Sequence, residues 1–404
     1  MLVVVTHSIP VDMIQFHNEY GEKLLTTLKR PLMRPFVIVL VLLTMSMAAC
    51  SGNEGTTSWP GLAAEGDVVY VAYGPGILAY DVVAEKQLWQ FPVEKTTSPF
   101  YAAPSVQDGR LIFGDYGRSG GFFSPQPIIT IYGIEQSDAG VPQELWNNTE
   151  LASDKIVSPP LQVGDIVYVG TTDYVLLALN ADTGIEQWRF ETKHSIWAQP
   201  TYQDGTLYVA SLDRNLYALN AETGDLIWQK ELTGALSGKP VLGHGLIYVT
   251  GFDNNLHALS AASGEEQWVF QTKDWIWSAP ALDNGTLYFA DSLGNLYAVS
   301  AEDGSEIWTQ QAPGPVQTSP VIYENMVYVA TLGDTETGQG VLIAYSREDG
   351  AEVWRQTTLS PLNTTPIVVD GALVVVVQSE EALLIGYNLQ TGGQKWRFLP
   401  QAQS

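Results

Sequence analysis

Leu216–Trp228 reads LYALNAETGDLIW. Forty residues on, Leu256–Trp268 reads LHALSAASGEEQW, and forty beyond that Leu296–Trp308 reads LYAVSAEDGSEIW. A phrase that returns at a fixed interval, each time ending on tryptophan, marks a repeat, and a repeat decides the fold before any single element does. Outward from this stretch, Trp89, Trp146, Trp188, Trp228, Trp268, Trp308, Trp354 and Trp396 end eight similar segments, at intervals of 57, 42, 40, 40, 40, 46 and 42 residues. In six of them a glycine stands four residues earlier: Gly184, Gly224, Gly264, Gly304, Gly350 and Gly392. In seven a small residue stands ten earlier: Ala79, Ala178, Ala218, Ala258, Ala298, Ala344 and Gly386.

Within one unit the apolar period is two. TLYVAS, NLYAL and DLIWQ are short runs of β-branched, leucine and aromatic residues, split by LDR and NAETG, which is the pattern of strands joined by tight turns. Asp213-Arg214 and Asp253-Asn254 fall where a hairpin wants residues that tolerate positive φ, and Gly224 with its equivalents serves the next turn. A further strand precedes each unit around a proline, as in SIWAQPTY; proline lacks a ladder donor and belongs at a strand's start, edge or bulge. Four antiparallel strands in about 40 residues, eight times over, predict an all-β, single eight-bladed β-propeller. No helical pattern of useful length follows Cys50.

The repeated tryptophan then has a structural task. On an outer strand it reaches the neighbouring blade, and the small residue ten earlier leaves room for the indole. A buried indole removes about 150–250 Å² from water, or several kcal/mol per blade junction at about 25 cal/mol per Å², as an upper bound. The eight tryptophans are therefore expected in the core between blades, not in a binding site.

The first 49 residues are set apart from this pattern. Lys29, Arg30 and Arg34 precede an apolar run from Phe36 that continues through TMSMAA to Cys50, a basic segment, a short hydrophobic segment and small residues. The run is about 14 residues, short of the roughly 20 a spanning helix needs. Residues 1–49 read as a signal peptide, with 1–32 as an extension upstream of a second start at Met33. MAAC resembles the lipobox of bacterial lipoproteins, where cleavage precedes a cysteine whose thiol is lipidated. Met47 stands where leucine is usual. The plainer alternative is a secretory signal with an incidental cysteine; the sole cysteine of the chain lying where the motif requires it favours lipidation. Residues 50–58 then form a lipidated cysteine and flexible tether, SGNEGTTS being of the Gly/Ser-rich kind, and 59–404 the propeller. One net positive charge leaves with the signal, taking the chain from −25 to −26. That acidity disfavours nucleic acid and anionic lipid head groups as ligands.

LYALNAETGDLIW is similar to the pyrroloquinoline quinone (PQQ) repeat, the blade unit of the quinoprotein alcohol dehydrogenase-like superfamily, and the likeness runs from about Trp59 to Leu399. One branch of that superfamily holds PQQ-dependent dehydrogenases. The other holds BamB-like lipoproteins, eight-bladed scaffolds that help assemble outer-membrane β-barrels. The enzyme branch implies an adjacent cysteine pair, a calcium cluster and a catalytic carboxylate in a longer chain. This chain has one cysteine, and the part after Cys50 holds only His194, His244 and His257, far apart and without metal-ligand spacing. Its Asp and Glu sit mostly in repeat turns such as NADTG and NAETG. No catalytic residue, metal ligand or cofactor is expected. The lipobox, the size and the blade count fit the BamB-like branch. That resemblance also implies an N-terminal strand completing the last blade, whereas here the last unit carries its own Trp396, so closure is expected from packing between blades one and eight.

The expectation is thus a non-catalytic, monomeric scaffold, exported and anchored to the bacterial membrane by its lipid, whose partners are unidentified envelope proteins or peptides. A receptor for a small ligand or glycan at the channel mouth is the alternative. Two units carry insertions, GRSGGFFSPQP (Gly117–Pro127) in blade two and GDTETGQG (Gly333–Gly340) in blade seven. Both fall between second and third strands, a turn that shares its face with the loop entering each first strand. Those loops contain KHSIW (Lys193–Trp197) and KDWIW (Lys273–Trp277), and Tyr101, Trp197 and Trp277 each precede a proline by three residues. They are expected on the inner strands, toward the channel mouth. Phe122, Phe123, Tyr101, Lys193, His194, Trp197, Lys273 and Trp277 are the candidate partner-binding residues; the competing reading has the aromatics filling the narrow ends of the blades.

Overall fold

Blade four sets the pattern. Its inner strand Thr201–Gln203, second strand Thr206–Ala210, third strand Asn215–Asn220 and outer strand Leu226–Glu231 pair antiparallel in sequence order. The computed structural model describes residues 60–92, 98–119, 127–136, 140–334 and 336–400, and within them eight such four-stranded sheets follow one another as the eight blades of a β-propeller. The second and third strands are buried on both faces because each blade is sandwiched between two others, which is why their sequences run nearly unbroken in apolar residues. The outer strand alternates, LIWQKE giving exposed and half-buried residues in turn along its second half.

The core is eight wedges, one per junction. Leu176, Ile196, Val209 and Leu219 join blades three and four; Leu256, Ile276, Phe289 and Val299 join blades five and six. In blades three, four and eight an asparagine caps the repeated turn. Asn220 Oδ1 accepts the N–H groups of Glu222 and Thr223 at 2.9 and 3.0 Å, and Gly224 takes a φ of +77°. The register slips between Ala218 and Leu219, so that Ala218 lies opposite Trp228.

That indole crosses to the next blade. A Cβ on Gly264 would lie 2.7 Å from Trp228 Cε3, and one on Gly224 2.7 Å from Trp188 Cδ2. Only glycine permits the contact, and its left-handed φ is a second reason for it there. Trp188 Nε1 donates to Ala221 O of blade four at 3.1 Å, and Tyr168 OH donates to the same carbonyl at 2.9 Å. The pair recurs as Trp228 and Tyr208 on Ala261 O, and as Trp354 and Tyr328 on Leu389 O. Burial pushes the Tyr168 and Tyr328 phenols up to about 12, so they remain donors well above neutrality. Not all the tryptophans are buried: Trp89, Trp146, Trp308, Trp354 and Trp396 are, whereas Trp188, Trp228 and Trp268 keep an edge in solvent at the rim. The expectation of eight buried indoles is corrected to that extent: these three are half-buried and pack against the edges of the cores between blades three and six.

Blade eight is built wholly from its own four strands, Ile367–Val369, Ala372–Val376, Leu384–Asn388 and Gln394–Phe398. It meets blade one through Val374, Val376, Leu384 and Trp396 against Leu62, Val69 and Val71. Here Trp396 and Phe398 pack on Tyr80, with ring centroids 5.4 and 4.3 Å apart. Blade one has Glu85 where six other units have glycine.

Candidate interaction face

The hairpin between second and third strands meets the incoming loop of its own blade. Leu212 N donates to Ser195 O at 3.0 Å, Phe252 N to Ala235 O at 3.0 Å and Ser292 N to Trp275 O at 2.9 Å. Incoming loops and these hairpins therefore share one face of the ring. The blade-seven insertion extends this hairpin, Met326–Asp334 pairing with Gln339–Ser346. In blade two the inserted chain adds a small ribbon of its own, Arg118–Ser119 with Pro127–Ile128.

Trp197 of blade four and Trp277 of blade six come together there, with ring centroids 6.2 Å apart. They meet because Ser237 holds the same place in the intervening blade and carries no ring. Ser237 Oγ donates to Trp277 O at 2.9 Å and ties the two loops. Phe252 joins the group, 5.3 Å from Trp277 and 5.4 Å from Trp275. Trp275 is 37% exposed, and Leu293, on the adjoining hairpin, is 55% exposed. The result is an aromatic cluster spanning three blades, with an open apolar edge.

The inner strands start only after the prolines, at Ser105, Thr201 and Ala281. Tyr101, Trp197 and Trp277 thus lie on the incoming loops and not on the inner strands where they were expected, since the preceding residues turn across the face before the ladder begins. Tyr101 is not part of the cluster. It packs edge-on against Tyr116 at 4.5 Å, and Lys155 Nζ lies 4.3 Å over the Tyr116 ring. Lys193 and His194 are exposed, His194 lying 5.3 Å from the half-open ring of Tyr174. Its Nδ1 accepts the N–H of Ser195 at 2.8 Å. Lys273 is exposed and Nζ donates to Asn295 Oδ1 at 3.2 Å. Phe122, Phe123 and Cys50 lie outside the described residues.

Two residues past Ser237 on the incoming loop stands Lys239, whose Nζ donates to the neutral Gln199 Oε1 at 2.8 Å. Burial pulls its ammonium below the usual lysine range. The residues at its place in neighbouring blades, Gln199, Ala279, Ser319 and Thr365, include no carboxylate. Among the described residues no group of three His, Cys, Asp or Glu could hold a metal ion. Among the described residues no helix is long and apolar enough to cross a membrane.

Trp275, Phe252 and Leu293 were missed by the sequence reading. The signal lay in the departures from the repeat: Trp275 stands where other loops have Ser195 or Ala235, and Phe252 where they have Thr172, Leu212 or Ser292.

A ring of eight tryptophan-locked blades with a face that departs from its own repeat defines a repeat-built propeller of the PQQ type. The chain belongs to the family described as outer membrane protein assembly factor BamB, whose repeat model matches residues 134–198, 191–276, 272–338 and 334–404. Among solved structures, BamB from Moraxella catarrhalis is similar at 18% identity and a TM-score of 0.63, over 78% of this chain and 90% of that one. The computationally designed Ika8 protein is similar at 12% identity and 0.67, over 83% and 98%. A europium-containing methanol dehydrogenase is similar at 12% identity and 0.60, over 73% and 77%. A comparison with curated proteins finds no significant match. At these identities the structural likenesses carry the fold alone.

Proposed function

We propose that this protein is a non-catalytic scaffold of the bacterial cell envelope that assists outer-membrane protein assembly in the manner its family's description names. Residues 1–49 act as the signal peptide, and lipid on Cys50 tethers the propeller through residues 50–58. The observation that carries the reading is the cluster of Trp197, Phe252, Trp275 and Trp277 on the face of the incoming loops, with the Trp275 ring over a third open to water. A partner that covers it removes a large aromatic area from water, and buried aromatics dominate protein–protein hot spots. Lys193, His194 and Lys273 supply polar rim contacts, and Phe122 and Phe123 of the blade-two insertion are further candidate partner contacts.

A photo-crosslinking residue at Trp275 tests this in native envelopes. Capture of defined envelope proteins, absent when the same residue replaces the exposed rim residue Ile227, supports the scaffold; equal capture at both sites overturns it. The anchor has its own test: Cys50→Ala moves the protein from membranes to the soluble fraction, and an unchanged membrane fraction overturns lipidation. A second reading, a receptor for a small anionic ligand, is favoured by Lys239 and by the lack of a carboxylate in its ring. Binding of small carboxylates that is lost in Lys239→Met would turn the assignment that way.

A further inference from the structure

At the junctions of blades three with four and five with six, the outer strand of one blade offers a phenylalanine to a tyrosine of the next. Phe190 meets Tyr217 at 5.2 Å and Phe270 meets Tyr297 at 5.4 Å, both edge-on. Each tyrosine also donates its hydroxyl to an aspartate at the hairpin tip: Tyr217 to Asp213 at 2.6 Å, Tyr297 to Asp291 at 2.8 Å. At the junction of blades four and five the repeat places Lys230 where the phenylalanine would be and His257 where the tyrosine would be.

His257 is buried between two carboxylates. Its Nε2 lies 2.9 Å from Asp253 Oδ2 and its Nδ1 3.0 Å from Glu266 Oε2. A neutral imidazole has one N–H and one lone pair, so it can serve only one of these carboxylates and turns its lone pair on the other. Two short contacts to two carboxylate oxygens require the imidazolium. Asp253 Oδ2 also accepts from Thr233 Oγ1 of the incoming loop, while Oδ1 is buried without a partner among the described residues. The charged groups that contact the ring are Asp253 on the hairpin and Glu266 on the outer strand; on the adjoining blade Lys230 holds the repeat position of the flanking phenylalanines.

We infer that His257 is a protonation latch that holds the Phe252–Asn254 hairpin, and with it the aromatic face, in place while the imidazole is charged. Burial opposes charging, but Asp253 and Glu266 outweigh it and raise the His257 pKa above its usual 6.5. The latch is therefore fully closed below about 6.5 and opens as pH rises through the raised folded value. Burial likewise opposes ionisation of Asp253, yet hydrogen bonds from His257 and Thr233 hold its carboxyl at about 2, so this arm fails only in strong acid. On deprotonation Glu266, whose side chain is 38% exposed, can return to water. Asp253 cannot, and its buried carboxylate loses its imidazolium partner. The strain falls on the hairpin that carries Phe252, which touches Trp275 and Trp277. The consequence for partner binding rests on the scaffold reading; the latch itself does not, and its test is read without a partner.

Nitrogen NMR of the intact protein at pH 6 should show both His257 ring nitrogens protonated, with a midpoint above 6.5 that falls in Glu266→Gln. Amide exchange at residues 233 and 252–254, corrected for intrinsic rate, should rise about fivefold or more between pH 6 and pH 9. His257→Tyr rebuilds the tyrosine–aspartate pair of the flanking blades and should flatten that rise. A neutral His257 at pH 6, a midpoint indifferent to Glu266→Gln, or the same exchange profile in His257→Tyr would each overturn the latch. Should His257→Tyr fail to fold, Glu266→Gln on the exposed arm still decides.

Discussion

The outer junctions and the loop face are built from the same repeat and obey opposite rules. At the junctions the units repeat one another: at six an indole lies on the next blade's glycine, and at four indole and phenol share one carbonyl. On the loop face the units differ. Blade four contributes Trp197, blade five Ser237 and Phe252, blade six Trp275 and Trp277, and the cluster exists only because these are not equivalent. Closing a ring requires each blade to present the same surface to the next, so junction chemistry is held to a pattern. Nothing in ring closure asks for three tryptophans on one face. Regularity marks what the fold needs; departure from it marks where a function can reside.

Breaking the junction should give the largest effects. Trp354 is buried and its Nε1 donates to Leu389 O at 2.8 Å, so Trp354→Ala should cost about 3–5 kcal/mol, the range for truncating a buried aromatic. Gly392 beneath it has a φ of +69°, and a Cβ there would stand 2.6 Å from the indole. Gly392→Ala should cost about 1–3 kcal/mol from backbone strain and overlap. Combined with Trp354→Ala it should cost less than the sum, because the overlap has gone. Additive losses in denaturant titrations would show that glycine and indole do not act on one another. Trp228 keeps an edge in solvent, and Trp228→Ala should cost less than Trp354→Ala by about 1 kcal/mol or more. Equal losses would mean that the half-open junctions are as tight as the closed ones.

These expectations follow the part of the molecule that sequence made legible. Eight tryptophans at near-constant spacing give the blade count, and Gly224 with its equivalents gives the turn. Where the spacing changes, the reading fails. Blade two shows no small residue ten before Trp146, yet Gly133, thirteen before it, fills the role: a Cβ there would lie 2.4 Å from the indole. A longer hairpin loop moved the residue in sequence without moving it in space. Tyr168 and Tyr208 were visible as strand residues, but their gift of a hydroxyl to the next blade's carbonyl depends on a packing direction that one unit does not encode. The aromatic face was half legible. Trp197 and Trp277 are 80 residues apart and meet only because the ring curves past a serine, and no local pattern announces that.

The smallest effect on stability should come from the face itself. Trp275 sits on a loop, with one side against Phe252 and the other in water. Its neighbours are held without it: Ser292 N reaches its backbone carbonyl at 2.9 Å, and Ser292 Oγ reaches Asp274 Oδ2 at 2.6 Å. Trp275→Ala leaves both contacts in place and removes a ring that folding buries only in part. The expected loss is under about 1 kcal/mol, a shift of a few degrees or less in Tm for a chain of this size. Binding should respond out of proportion, because an anchor aromatic lost from the centre of an interface costs about 2 kcal/mol or more, some thirtyfold in Kd. The combination of a nearly unchanged Tm with lost crosslinking of envelope partners separates a binding residue from a packing one. A Tm that collapses in Trp275→Ala would return the ring to the blades, and the surface that meets the partner would then have to be the rim, where Ile227, Ile307 and Val353 stand exposed on the outer strands.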